Sequence, residues 1–279
     1  MTLVLACVTL LYVTAVADRR LSRGSEVDED FATKAVVICD RGAVLYSGIA
    51  RLGPTGPRMD DWIVQILASH KVVTLSEAAK ALRVEATASF RRLPYAATHR
   101  RHAFMIVGWQ VIAGPTRQPV IAVVSNALDD EWNWLSTSGD EFRVRVLVQQ
   151  DTAKFSVATI GANFPQAKLS WMRRSLRRGF ARGIGPRSVI RLSANAIRSV
   201  AALDPTVGKN LLAVYVPPCS LEGGSRFLLA SAPGGAVPTY LDIRMPFDRG
   251  TQHGPHFVCG DTAVTGVVTG SLDSSDDAT

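Results

Sequence analysis

Thr2 carries a side-chain hydroxyl and, once Met1 is removed, a free α-amine on the same residue. Its small size permits that removal. Together the two groups form a compact nucleophile: the hydroxyl attacks a carbonyl carbon, and the amine takes the proton directly or through water. An unperturbed α-amine titrates at about 7.7–8.0, so a useful neutral fraction exists near pH 7 without any histidine. A nearby ammonium would depress that value and stabilise developing negative charge, and Lys34 can supply it. The lysine needs an acid to hold it. Asp18, at the end of a second apolar run, is placed for that task. Gly48 closes the strand-like run Ala43–Ser47 and offers backbone N–H groups for an oxyanion hole.

The segment that must position Thr2 and Asp18 is apolar from residue 2 to residue 17 and rich in Val, Thr and Tyr, which favour strands. Two strands, about Leu3–Val8 and Leu11–Ala17, joined by a very tight turn, fit it better than one helix. A secretory or anchoring segment is the competing reading. Its positive charges stand at the wrong end, since Arg19 and Arg20 follow the run. The run also falls short of the ~20 residues of a spanning helix, and no other stretch is longer, so no membrane contact is expected.

The 279 residues suit one large domain or two small ones, and an apolar fraction of 47% excludes a mainly disordered chain. Lys and Arg exceed the acids by 31 − 24 = 7, which favours anionic neighbours but is too diffuse to indicate nucleic-acid binding. Four cysteines without a CxxC pair argue against a disulfide scaffold and for a reducing, cytoplasmic home.

Further along, a polar interval at Arg23–Asp30 leads to strand-like runs Ala35–Cys39 and Ala43–Ile49. Asp60 or Asp61 can cap one helix, and Ser76 a second. Strand-like runs follow at Phe104–Ile112, Val120–Ser125, Phe142–Gln149 and Phe155–Ile160. Two helical patterns, Gln166–Arg182 and Pro186–Leu203, precede a strand at Leu211–Val216. Beyond it the chain is rich in Gly, Pro and Ser, with short strands at Phe227–Ala230 and Tyr240–Ile243 and a polar, acidic end. Strands grouped this way, with helices in pairs, predict an α+β fold: two antiparallel sheets covered by helix pairs in a four-layer αββα sandwich.

At this point the residues resemble the proteasome β-subunit family, including the bacterial HslV-type peptidase, which are N-terminal nucleophile (Ntn) hydrolases. Thr2, Asp18 followed by Arg19-Arg20, Lys34 in ATKAVVI and Gly48 in LYSGIA stand 16, 32 and 46 residues beyond the threonine, as that family's motif asks. The resemblance implies a threonine-type peptidase cleaving amide bonds, with no cofactor or metal. It implies that Arg20, Ser22, Tyr46 and Ala50 border an extended substrate. It also implies assembly of identical subunits into rings, with a partner ATPase compatible with it. The later loop LDPTVGK matches through Asp204 and Gly208, whereas Ala162 and Val207 occupy positions where the family has assisting serines. A catalytically inactive structural or assembly subunit is therefore the alternative. The matched region spans 2–216, and 217–279 form a C-terminal extension without counterpart.

Other features have plainer readings. Arg173, Arg174, Arg177 and Arg178 fall on one helical face, with Leu169, Met172, Leu176 and Phe180 on another, which describes a solvated face over a core stripe. Arg100, Arg101 and His102 form a similar basic cluster. His253-x-x-His256-x-x-Cys259 reads as part of a glycine-rich loop with no clear fourth ligand, so no zinc site is expected. No P-loop, GxGxxG or GxSxG occurs.

Overall fold

The structure is a computed structural model that describes residues 2–23, 26–29, 32–38, 41–113, 116–129, 131, 134–148, 155–216, 226–230, 239–242 and 252–268. The leading apolar run forms an antiparallel hairpin, β1 (Leu3–Val8) and β2 (Val13–Asp18). Thr9 shapes its turn: Oγ1 accepts from the N–H groups of Leu11 and Tyr12 at 3.1 and 2.9 Å. The second strand starts two residues later than the sequence pattern suggests, because Leu11 stands in the turn at 70% exposure. The polar interval before Lys34 contains a short hairpin of its own, β3 (Leu21–Arg23) and β4 (Glu26–Glu29).

Among the described residues, the rest of the chain builds β5 (Ala35–Ile38), β6 (Gly42–Ser47), α1 (Met59–Ser69), α2 (Leu75–Arg91), β7 (Ala103–Ala113), β8 (Thr116–Ser125), β9 (Arg143–Val148), β10 (Ser156–Gly161), α3 (Gln166–Ala181), α4 (Pro186–Ala201), β11 (Leu211–Val216), β12 (Arg226–Ala230), β13 (Thr239–Asp242), β14 (Gln252–Cys259) and β15 (Thr262–Val268). One six-stranded sheet runs β10-β1-β2-β11-β12-β13 and is antiparallel throughout. The other has seven strands, β15-β14-β5-β6-β7-β8-β9, antiparallel except for the parallel β14–β5 pair. The fold is broadly α+β. Among the described residues no helix is long and apolar enough to cross a membrane.

Both faces of β1 are buried, which explains why its sequence lacks the usual polar alternation. Leu3, Leu5 and Cys7 join a core with Met172 and Leu176 of α3 and Val189 and Ile197 of α4. Val4, Ala6 and Val8 join a second core with Val37, Ala43, Leu45 and Met105 of the other sheet. A third core gathers Ile63 and Leu67 of α1 and Leu82 of α2 over Val36, Val44, Phe104 and Ile106. Alternation at period two sorts successive residues of one strand into different cores.

Two helix starts differ from the sequence expectation. Thr74 caps α2, two residues before Ser76, since Thr74 and Glu77 form a capping box: the Glu77 N–H donates to Thr74 Oγ1 at 3.2 Å and Glu77 Oε2 accepts from the Thr74 N–H at 2.9 Å. Arg58, not Asp60 or Asp61, is the N-cap residue of α1, and no side chain caps it. Asp60 is instead buried between Arg58 Nε at 3.2 Å and His256 Nε2 at 3.3 Å. The C-terminal stretch also holds more strand than the sequence suggests. His256 lies in β14 rather than in a loop, and its contact with Asp60 ties that strand to α1.

Candidate active site

Three expected site residues meet at the open end of the first hairpin. The β1–β2 register, with Val4 opposite Ala17, sets Asp18 across from Leu3, and the Leu3 N–H donates to Asp18 Oδ2 at 3.0 Å. Lys34 immediately precedes β5. Arg19 draws its segment in: the Ala32 N–H donates to Arg19 O at 3.0 Å, and Arg19 Nε donates to Ala32 O at 3.2 Å. Lys34 Nζ then donates to Thr2 Oγ1 at 2.6 Å, to Asp18 Oδ1 at 2.8 Å, and to the Arg20 carbonyl.

Three acceptors match the three N–H donors of an ammonium, so this geometry suits a charged lysine. Both Lys34 and Asp18 are fully buried. Burial pushes the Asp18 carboxyl above its usual range, against the pull of Lys34 and the Leu3 N–H. A charged donor on the threonine oxygen is suited to stabilising negative charge there, and a group that donates cannot also take the hydroxyl proton. Cys7, a nucleophile-type side chain in β1, is buried, and its thiol is pushed up to about 12, which makes it an inert core residue.

The backbone of Thr2 is clamped by groups that sequence reading does not single out. Ser47 Oγ donates to Thr2 O at 2.8 Å, and the Ala162 N–H donates to the same carbonyl at 2.9 Å. The position taken by Ala162, where a serine was expected from the resemblance, thus lies directly beside Thr2. Gly161 has φ +101°, and a Cβ there would fall on Thr2 O and Ser47 Oγ. Gly161→Ala is therefore expected to destabilise the protein by at least about 1–3 kcal/mol, and to displace Thr2. A urea unfolding midpoint unchanged from the parent would contradict this packing.

The other expected residues are dispersed. Gly48 has φ +119° and packs against the Arg101 carbonyl, following Ser47 at the edge of the site. Tyr46 is buried in the α1–α2 core, stacked on His102 at 6.0 Å. Ala50 is half-buried, and its carbonyl accepts from the Met59 N–H at 2.9 Å. Ser22 lies in β3, paired with Val27. Arg20 is held by the later loop, donating from Nη1 to Pro205 O at 2.7 Å, while Gly208 packs against its Cβ. Asp204 is not hydrogen-bonded to Thr2 or Lys34: it accepts from the N–H and hydroxyl of Thr206 at 2.9 and 2.6 Å. Val207 is buried in the core beside α4.

His102, read from sequence as part of a basic surface cluster, is buried beside the site. Its Nδ1 accepts from the Ile49 N–H at 3.0 Å, the residue after Gly48, which assigns the proton to Nε2. Rings of Phe104 and Phe90 surround it at 4.5 and 5.0 Å. Burial pushes this imidazole down to about 3 from 6.5. The unfolded chain therefore binds a proton that the folded chain refuses as pH falls from 6.5 toward 3. In that window the residue should remove about 1.4 kcal/mol of stability per pH unit. Urea midpoints at pH 7 and pH 4.5 should fall further for the parent than for His102→Gln, and equal losses would contradict this assignment.

Asp60, Asp61 and His256 bring ligand-type atoms within 4.8 Å of one another. Burial raises the Asp60 carboxyl, but the hydrogen bond at His256 and the Arg58 charge outweigh it and hold the group below its ordinary value. That balance fits a buried latch. The side chains of His253 and Cys259 lie outside the described residues.

No family model matches the chain, and a search of curated proteins finds no match.

Proposed function

We propose that this chain is an N-terminal threonine hydrolase that cleaves amide bonds, most simply in peptides, with Thr2 exposed by removal of Met1. One observation carries the reading: a threonine at position 2 whose Oγ1 accepts from a buried lysine, itself paired with a buried aspartate. Isolated buried charges are costly, and a fold that buries such a pair against a hydroxyl at its N-terminus is organised around that hydroxyl. The three stacked cores support a four-layer αββα arrangement, the architecture that the proteasome-like resemblance implies.

In the proposed reaction, Thr2 Oγ attacks the amide carbon while the Thr2 amine accepts the hydroxyl proton. Lys34 stabilises the charge on Oγ, and the Gly48 N–H serves the oxyanion. The amine returns the proton to the leaving nitrogen as the C–N bond breaks, leaving an ester on Thr2. Water then attacks the ester, releases the acid and restores the hydroxyl. Intact mass of the purified protein tests the premise. Loss of Met1 alone is expected; a chain that retains Met1 has no free Thr2 amine and contradicts the proposal, and loss of about twenty residues favours a sorting signal instead.

A second reading, an assembly subunit of the same fold without turnover, is favoured by particular residues. Ala162 and Val207 lack hydroxyls, and Asp204 is engaged by Thr206. Efficient turnover of peptides by the purified protein, lost in a Thr2 variant, excludes it. Self-association belongs to both readings, and light scattering at micromolar concentration should give a mass well above the 30.0 kDa of one chain.

A further inference from the structure

A charge excess that looks diffuse along the sequence is gathered by the fold onto one helix pair. From Phe155 to Leu203 the chain holds nine Lys and Arg and no Asp or Glu, against a net +7 for the whole protein. The remainder is therefore nearly neutral, at 7 − 9 = −2. Helices α3 and α4 make up most of that segment. The other helix pair shows the contrast: from Met59 to Arg91, four acids balance four Lys and Arg. Arg173, Arg174, Arg177, Arg178, Arg182 and Arg191 are all exposed, and none makes an ion pair with a described residue. Helical spacing sorts those of α3 into two rows, Arg173 with Arg177, and Arg174 with Arg178 and the C-cap Arg182. Each step along a row rises about 6 Å. Like charges at this spacing oppose helix formation. The helix dipole favours Arg178 in the last turn, but not Arg173 and Arg174 before it. Trp171 is 45% exposed and stands three and seven residues before Arg174 and Arg178, so it opens their row.

A face of one sign, repelling itself and unbalanced from within, calls for a partner that is anionic along its length. A second copy of the same face is repelled. Protein surfaces mix both signs, and a docking protein would need acids on α3 as well as cations to fix its register. Guanidinium forks match phosphate oxygens, and regular rows of them match a chain of phosphates. The exposed indole in the same row adds what a merely anionic partner would not use: a plane on which a base can stack. Stacking there needs an unpaired base, which a duplex does not present. We propose that the outer face of α3 binds single-stranded nucleic acid, with the two arginine rows on the phosphates and Trp171 against a base. This binding does not require the threonine hydrolase reading.

Fluorescence anisotropy of labelled oligothymidylate and oligouridylate, titrated with the full chain, tests it. Contact of about four phosphates predicts that affinity falls about 50-fold between about 50 and 200 mM salt. Replacing Arg173, Arg174, Arg177 and Arg178 together by Gln should weaken binding at least about tenfold at the lower salt and flatten the salt dependence. Glutamine matches arginine in helix propensity, so the helix should persist, and the fourfold Lys variant, which keeps the charge, should retain most of the binding. Lys80→Gln with Arg83→Gln on α2 removes two charges elsewhere and should leave binding as it was. Trp171→Ala should cost about tenfold on the single strands with the salt dependence unchanged, and nothing on a duplex of equal length. Polyglutamate and vesicles containing phosphatidylserine are titrated as competitors. No binding of either oligonucleotide by the parent, or binding unaffected by the fourfold Gln change, overturns the proposal. So does displacement by polyglutamate or vesicles at concentrations below those of unlabelled oligonucleotide, which would give the face to an acidic protein or a membrane surface. Equal loss on duplex and single strand in Trp171→Ala, or no loss on either, contradicts the stacking contact and with it the preference for single strands.

Discussion

Lys34→Ala is expected to lower amide hydrolysis on the order of 10³-fold, because it removes the one charged donor on the attacking oxygen. Its Nζ lies 2.6 Å from Thr2 Oγ1 and 2.8 Å from Asp18 Oδ1. The same change should cost about 3–5 kcal/mol of stability, since it strands a buried carboxylate with no cation. The two losses are separable. Lys34→Met combined with Asp18→Asn removes both charges of the pair and keeps an acceptor for the Leu3 N–H, so stability should largely return while activity does not. Urea unfolding and kcat/KM of the single and double variants measure both. Unchanged activity in Lys34→Ala, or recovery of activity in the double variant, would contradict the role given to Lys34.

Thr2→Ala should abolish hydrolysis, a loss on the order of 10⁴-fold or more, since it removes the group that forms the ester. The fold should persist. Lys34 keeps Asp18 and the Arg20 carbonyl as acceptors, and the backbone clamps from Ser47 and Ala162 reach Thr2 O rather than its side chain. Serine at this position retains both hydroxyl and amine, so Thr2→Ser should keep measurable activity. A Thr2→Ala protein that hydrolyses at the parent rate would place the nucleophile elsewhere.

The meeting of Thr2, Asp18 and Lys34 was legible because much of it depends on local geometry. A tight turn between two short strands returns Asp18 to the start of the first strand, and the unbroken apolar character of Leu3–Val8 signals burial on both faces. Ser47, Gly161 and His102 were not legible as neighbours of the site. Their proximity arises from pairings between distant segments: β1 with β10, and β6 with β7. His102 in particular sits in a basic stretch whose composition suggests solvent, yet four aromatic rings pack on it. Strands β14 and β15 escaped sequence reading for a similar reason. Glycine and proline dilute their pattern, and β14 is held by parallel pairing with β5, more than two hundred residues away. Asp204 matched by position in a motif, but the hydrogen bonds it makes with Thr206 depend on the shape of its own turn.

Covalent labelling of Thr2 tests the central claim most directly. The purified protein is treated with a threonine-directed electrophile, digested and mapped by mass spectrometry, alongside Thr2→Ala. The account predicts a single adduct on the peptide beginning at Thr2, absent from the variant and much slower to form in Lys34→Ala. An adduct on any other residue, or an unlabelled Thr2 in protein that has lost Met1, would contradict it.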